Sequence, residues 1–438
     1  MPKTEVNVKK LLFITTRLCS PVNSGRRYSL YHCMRGLSLV YGYEIYQYSF
    51  FEKGQTISDI NNQPDFVNMI FPAKKVHLLD KAKNVIRDIF RKNKLPLQCL
   101  LYYSKSNVKE IAKIVERIKC DVIIVDMVRL APYIEAFSGF PALKIIDLND
   151  LLSKRYKRQL ESSYSNADIS GNYGNETTSV FKKIINLSFL KKIILKSEIK
   201  RLEKYERKCY SIYDKTIFVS DKETSYLNNL MSDNKAHTVT LGIDYDYYSE
   251  NIEVMKKENY ISFLGNLNVA ANIDSLEMIV KDILPEIQTS VTLKVIGESS
   301  NQIRSKYKMY TNIIFTGRVD DLRVEICETA LFLSPIAYGS GIKTKILEAM
   351  AMGKAVVTNS VGAEGLAIEN GKHLFVYDNF KDIAKCVDSL LKDEITLKTI
   401  GEQAKAVVKE KYQWELIWEE FKNIGITKFV ELMETEVS

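Results

Sequence analysis

The stretch Gly339-Ser340-Gly341-Ile342-Lys343-Thr344-Lys345-Ile346-Leu347-Glu348 has residue types spaced to hold a charged ligand. Gly339 and Gly341 bracket Ser340, so the backbone can turn tightly and approach a ligand with no Cβ in the way. The next residues open a helix, whose first N–H groups lack intrahelical acceptors and favour anions. Lys343 and Lys345 fall in that first turn, where the helix dipole alone would prefer carboxylates. Cations there imply an external anion. Glu348 is followed by the apolar run Ala349-Met350-Ala351, a setting in which a carboxylate needs hydrogen-bond donors. A pair of ligand hydroxyls would supply them; the alternative is an ordinary helix with a surface glutamate.

The elements that must position this stretch are also readable. Leu331, Phe332 and Leu333 fit a short buried strand, and Pro335 cannot continue its ladder. Similar apolar runs lie at residues 11–15, 122–126, 143–147, 216–220, 260–264, 292–296, 313–317 and 355–359, alternating with helical patterns. That alternation predicts α/β architecture with parallel, doubly wound sheets. At 438 residues the chain exceeds what one hydrophobic core normally serves. The expected organisation is a first domain over 1–241, a linker over 242–259, a second domain over 260–410 and a C-terminal helix over 411–438. Ser220 with Glu223 fits a capping box, and Asn107 fits an N-cap for the amphipathic segment after it. Residues 161–178 are polar, glycine-bearing and without period, and read as a loop.

The motif is similar to the donor-nucleotide motif of the family-four glycosyltransferases (glycosyl transferases group 1). The resemblance is strongest to bacterial exopolysaccharide sugar transferases, and it covers nearly the whole chain. It implies a GT-B architecture, in which two Rossmann-like doubly wound domains face a cleft and the C-terminal helix crosses back to the first. It also implies that Glu348 holds both ribose hydroxyls of a nucleoside diphosphate sugar. The common motif has a second glutamate eight residues earlier, against the transferred sugar; here that residue is Ser340. With Gly341, Ile342, Lys343, Thr344 and Lys345 these residues form the expected donor site. Retention of anomeric configuration is implied by the resemblance alone.

Other candidates follow from strand ends. After the first strand, Pro21, Asn23, Ser24 and Gly25 make a turn, and the resemblance directs Gly25 and Arg27 to phosphate or acceptor. Asp150, in the run from Asp147 to Ser153, and Asp126 at the end of the 122–126 strand are rival acceptor-side carboxylates that could orient or deprotonate a hydroxyl; either could instead cap the next helix. Gly265 and Asn266 occupy a turn where the family often has Arg after the glycine and Lys further on. Their absence leaves Lys343, Lys345 or Arg27 to supply the cations. Gly317 and Arg318 resemble the family's turn near the nucleobase, and residues 361–364 are expected to close the donor pocket. Asp244 and Asp246 match a short acidic metal pattern of another glycosyltransferase fold but lie in the linker.

Composition narrows the classes. Hydrophobic residues make up 46% and charged residues 26%, which is globular, and no apolar run reaches eighteen residues. Seven scattered cysteines and four separated histidines read as reduced thiols in a cytosol and as no metal site. No Rossmann GxGxxG, Walker loop or GxSxG occurs, and no cofactor is expected.

The net charge of +8 is local: residues 73–94 carry eight Lys/Arg against two Asp, and 181–208 carry ten against three Glu. Leu78, Leu79, Ala82, Val85, Ile86, Ile89 and Phe90 share one helical face, with Lys81, Lys83, Arg87, Arg91 and Lys92 opposite. Such a helix either lies on anionic lipid or packs on its own domain with a solvated cationic face. The second basic segment reads as apolar all round. No nucleic-acid module accompanies the charge.

These features predict a cytoplasmic enzyme, with peripheral contact at the inner membrane face as one alternative. It would move a sugar from a nucleoside diphosphate sugar to a hydroxyl of a glycan or lipid-linked acceptor, without metal. The rivals are a nucleotide-sugar epimerase of the same fold and a noncatalytic nucleotide-binding assembly protein.

Overall fold

The computed structural model describes residues 8–22, 24–52, 54–162 and 188–426. Most of the expected 161–178 loop, Asn23, part of the second basic segment and everything after 426 lie outside them. The chain forms two compact units. The first comprises the described residues up to Ser153, Ser197–Thr240 and those from Trp414 on; the second comprises the described part of Lys154–Lys196 and Leu241–Gln413.

The first unit is built on a parallel sheet of seven strands in the order β3-β2-β1-β4-β5-β6-β7. They are β1 (Lys10–Thr15), β2 (Glu44–Ser49), β3 (Val67–Pro72), β4 (Val122–Asp126), β5 (Leu143–Asn149), β6 (Lys215–Phe218) and β7 (Ala236–Thr238). Strands β1 and β4 are covered on both faces, which is why they read as unbroken apolar runs. The second unit repeats the plan with β10-β9-β8-β11-β12-β13. Its strands are β8 (Lys257–Leu264), β9 (Thr292–Ile296), β10 (Ile313–Gly317), β11 (Thr329–Leu333), β12 (Val356–Thr358) and β13 (Phe375–Val376). The second order is 3-2-1-4-5-6 and the first adds a seventh strand to the same order, so each sheet reverses direction beside its first strand, at β1/β4 and at β8/β11. Open parallel sheets bind ligands at the carboxyl ends flanking that reversal.

Helix α1 (Gly25–Leu39) follows β1 and packs against the helix Trp414–Glu419. Trp414 stacks on His32 with ring centroids 4.6 Å apart, the Trp418 indole donates to the His32 carbonyl at 2.9 Å, and the Tyr41 hydroxyl donates to the Trp418 carbonyl at 2.6 Å. Burial pushes the His32 imidazole down to about 3, so it packs as a neutral ring. These contacts seat both tryptophans of that helix against α1.

Four local expectations are corrected. Asn107 does not cap a helix: it lies inside α4 (Lys105–Ile118), buried, exchanging hydrogen bonds with the Lys74 backbone. Ser220 is the N-cap of its helix, but its hydroxyl does not cap; the Glu223 carboxylate instead accepts from the Leu151 N–H at 2.9 Å. The basic segment in Ser188–Ile212 has a buried stripe through Leu195, Ile199, Leu202, Tyr205 and Cys209. Residues 154–162, the linker and 411–413 group with the second unit; in the first of these stretches Arg155 and Arg158 bond to its Ser340 and Glu364.

A methyl group at Gly36 would lie 2.2 Å from Trp418 Cδ1, a distance only backbone or indole displacement can relieve. Gly36→Ala is expected to cost about 1–3 kcal/mol by overpacking, read as a lowered midpoint in urea with unchanged slope.

Candidate active site

The donor-type motif occupies the loop after β11 and the helix that follows, beside the β8/β11 reversal of the second unit. The loop is fixed before the helix begins. Asn359 accepts from the N–H groups of Ile336 and Gly362 and donates to the Ile336 carbonyl, all at 3.0 Å. Ser275 accepts from the Ala337 N–H at 3.0 Å, and the Tyr338 hydroxyl donates to Asp274 at 2.9 Å. Gly341 has φ +64°, a conformation a side chain disfavours, and it turns the chain into Thr344–Ala351. Lys343 is that helix's N-cap and makes no side-chain cap, so the first-turn donors remain for a ligand. Its ammonium folds back to donate to the carbonyls of Ser340 (3.1 Å) and Gly341 (2.5 Å).

Glu348 lies one turn into the helix. Desolvation pushes its carboxyl up to about 7, against the opposing pull of the Thr344 hydroxyl and of Lys345. Lys345 is pushed down to about 7 by burial and by Lys343. The expectation that Lys345 offers its charge to phosphate is not met in this geometry. Its ammonium donates to the Leu264 carbonyl and to Asn272 Oδ1, both at 3.1 Å, and lies over the Phe263 ring, bracing the end of β8.

The turn after β8 is equally tied. The Gly265 N–H donates to the Ile296 carbonyl at 2.9 Å. The Asn266 carbonyl accepts from Asn272 at 2.9 Å, and its Oδ1 accepts from the Asn268 N–H at 2.8 Å. The Arg318 side chain is 73% exposed, with Glu298 3.9 Å away. Ile342 is buried.

Two cations that sequence reasoning missed meet the motif. Arg155 Nε donates to the Ser340 hydroxyl at 3.1 Å, and Arg158 donates to the Gly339 carbonyl at 2.6 Å and to Glu364 at 2.8 Å. Both come from the helix Leu152–Glu161, within the part that belongs to the second unit. Where the common motif has a carboxylate, this chain thus has a hydroxyl bonded to a guanidinium. The loop of residues 339–341 is correspondingly cationic.

In the first unit the β1/β4 reversal gathers Asp126, Asp147 and Asn149 around Arg26. The guanidinium donates to Asp126 (2.8 Å), Asp147 (2.6 Å) and Asn149 Oδ1 (2.9 Å). Burial alone would lower the Arg26 pKa; Asp126 and Asp147 outweigh it and raise it. The other Asp126 oxygen accepts from the Thr16 hydroxyl at 3.3 Å. Both Asp126 oxygens are thus engaged, one by Arg26 and one by Thr16, and Asp126 anchors Arg26. Gly25 opens α1, but the neighbouring Arg27 turns to Glu52 at 3.0 Å and to the Pro21 carbonyl. Helix phase puts Arg26 at the sheet edge, where Arg27 was expected. Asp150 is buried. Beside it the Ser153 N–H donates to Glu206 at 3.0 Å and the Leu151 N–H to Glu223 at 2.9 Å. Among the described residues no three His, Cys, Asp or Glu side chains cluster to hold a metal ion.

Comparison with known proteins agrees with this geometry. Residues 258–393, which contain the whole motif, match the model of the family Glycosyl transferases group 1. An uncharacterized glycosyltransferase of Methanocaldococcus jannaschii is 24% identical over 270 residues, 54% of this chain and 69% of that protein. The capsular polysaccharide biosynthesis glycosyltransferase CapM of Staphylococcus aureus is 26% identical over 217 residues, 45% of this chain and 57% of CapM. Over residues 258–393 the chain is similar to the group 1 glycosyl transferases. The crystal structure of TarM, a protein of S. aureus, superposes with a TM-score of 0.66 at 13% identity, over 96% of this chain and 99% of TarM. The fold of this chain is GT-B.

Two stability predictions follow from the site. The raised pKa means the folded state holds the Glu348 proton more tightly than the unfolded chain does. That contribution is complete below about 4.5, the ordinary glutamate value, and is lost as pH rises through about 7. Glu348→Gln should therefore be the more stable form at pH 8, by on the order of 1–3 kcal/mol, and equal to the parent at about pH 4; equal melting curves at pH 8 would contradict the shift. Arg26→Ala should cost about 3–5 kcal/mol by leaving Asp126 and Asp147 buried without their cation, with a smaller loss in acid.

Proposed function

We propose that the enzyme transfers a sugar from a nucleoside diphosphate sugar to a hydroxyl of a glycan or lipid-linked acceptor in bacterial surface polysaccharide synthesis. Glu348, a desolvated carboxylate one turn into a helix after a pinned glycine loop, is the observation that carries this reading. Its environment favours a partner that donates two hydrogen bonds, as a ribose diol does. The relation to CapM supports the pathway class, and the complex of a TarM variant with UDP supports a uridine nucleotide.

In the reaction, the bond from the anomeric carbon to the β-phosphate oxygen breaks and a bond to the acceptor oxygen forms. The acceptor hydroxyl loses its proton and the nucleoside diphosphate departs. Negative charge grows on the leaving phosphate, and preorganised donors act most strongly where charge develops. The uncapped N–H groups at Thr344 and Lys345, the Lys343 ammonium and the Arg155 guanidinium supply them, replacing the arginine and lysine the family often carries after β8. That set stabilises the leaving group with no metal ion, and the family resemblance supports retention of configuration. Asp150 serves on the acceptor side, and Arg318 and residues 361–364 border the nucleotide. A lipid-linked acceptor would place the enzyme at the inner face of the cytoplasmic membrane.

Thermal melting with UDP, GDP and their sugars tests the donor site. A nucleotide at a hundred times its Kd stabilises by about 2.7 kcal/mol, so UDP is expected to raise the melting temperature by roughly 3 °C or more. Glu348→Ala should abolish that rise, and a rise that survives the substitution removes Glu348 from the site.

A further inference from the structure

Helix α2, Leu78–Ile89 in the first unit, is inside out. Its inward side is polar. Asn84 donates to the carbonyls of Leu100 (2.9 Å) and Tyr103 (2.8 Å). Asp88 accepts from the Leu95 N–H (2.9 Å) and from Arg201 (3.1 Å), and Lys81 is buried beside them. At 100° per residue the opposite side is centred on Leu79, Ile86 and Phe90, whose exposures are 74%, 57% and 85%. Ile89 and Leu78 extend this apolar strip, 61% and 59% exposed. Packing of the apolar face on its own domain, one of the two readings of this sequence, is thereby excluded.

Polar anchoring holds the helix in place while its largest apolar side chains face outward, and single exposed hydrophobics are ordinary where a contiguous strip is not. The rim is cationic. Lys83 and Arg87 flank the strip on one side, and Arg91, Lys92 and Lys94 follow its end, all exposed. The only acidic groups of the segment are Asp80 and Asp88, and Asp88 is already paired with Arg201. A second copy of the same face would set these cations against one another. An anionic bilayer matches both parts, since its headgroups take the cations and its acyl boundary takes the apolar side chains.

We propose that α2 docks this enzyme on anionic membrane, with Leu79, Ile86 and Phe90 inserted into the interface and Lys83, Arg87, Arg91 and Lys92 on the headgroups. The docking is peripheral, because among the described residues no helix is long and apolar enough to cross a membrane. It does not depend on the identity of the sugar donor.

Flotation of the full chain with phosphatidylcholine vesicles, with and without phosphatidylglycerol, tests it. Binding is expected only with phosphatidylglycerol and should fall as salt rises. Ile86→Ser/Phe90→Ser should weaken it about tenfold or more, in line with the lost apolar insertion, while the melting curve stays unchanged because both side chains are exposed. Lys83→Gln/Arg87→Gln should weaken binding at low salt and flatten its salt dependence. Three results overturn the proposal: no flotation of the parent chain, undiminished flotation of the serine variant, or a concentration-dependent dimer that the serine variant dissolves while vesicle binding is absent.

Discussion

Hydrogen bonds between Asn359 and the backbone of Ile336 and Gly362 are the constraint on which the glycine loop depends. They hold the end of β11, the glycine loop and the strand after the Glu348 helix as one piece, so that the loop's conformation is settled before any ligand arrives. Preorganisation of this kind spares binding energy from ordering the site. It also explains why the polar atoms Ser275 and Asp274, far away in sequence, are buried at the same place. The loop backbone needs acceptors and donors there, and burial without them would be costly.

The two charged groups of the motif helix illustrate a second constraint. Glu348 and Lys345 are each driven toward neutrality by desolvation, in opposite directions, and both arrive near 7. The Lys345 charge opposes the rise at Glu348, and Lys343 adds to the fall at Lys345. Perturbed groups at the carboxyl edge of a parallel sheet are what an active site looks like physically.

Much of this was legible in the chain. The strands with two covered faces declared themselves as apolar runs, and the glycine-lysine-glutamate spacing marked the loop and helix that follow β11. Strands β2, β3, β7 and β13 were not, because Glu44–Ser49 and Val67–Pro72 mix polar with apolar residues and the other two are only two or three residues long. Which of two adjacent arginines faces the sheet edge depends on the phase of α1, so Arg27 was named and Arg26 does the gathering. Arg155 stands 185 positions from Ser340, and no local pattern announces such a pairing. In α2 periodicity separated two faces correctly, yet periodicity carries no sign. Asn84 and Asp88 found backbone partners across the fold, and they decided which face is outward.

The seating of Trp418 over Gly36 has a consequence for how the polypeptide is made. The first unit is assembled from three separated stretches, and its α1 surface is finished only by residues near 414–426. During vectorial synthesis the second unit, whose last contributions end at Gln413, has all its residues in hand while the first still lacks its closing tryptophans. The earliest part of the chain to emerge is thus the last to be completed, and until then the α1 face that receives Trp414 and Trp418 is open to water and to chaperones.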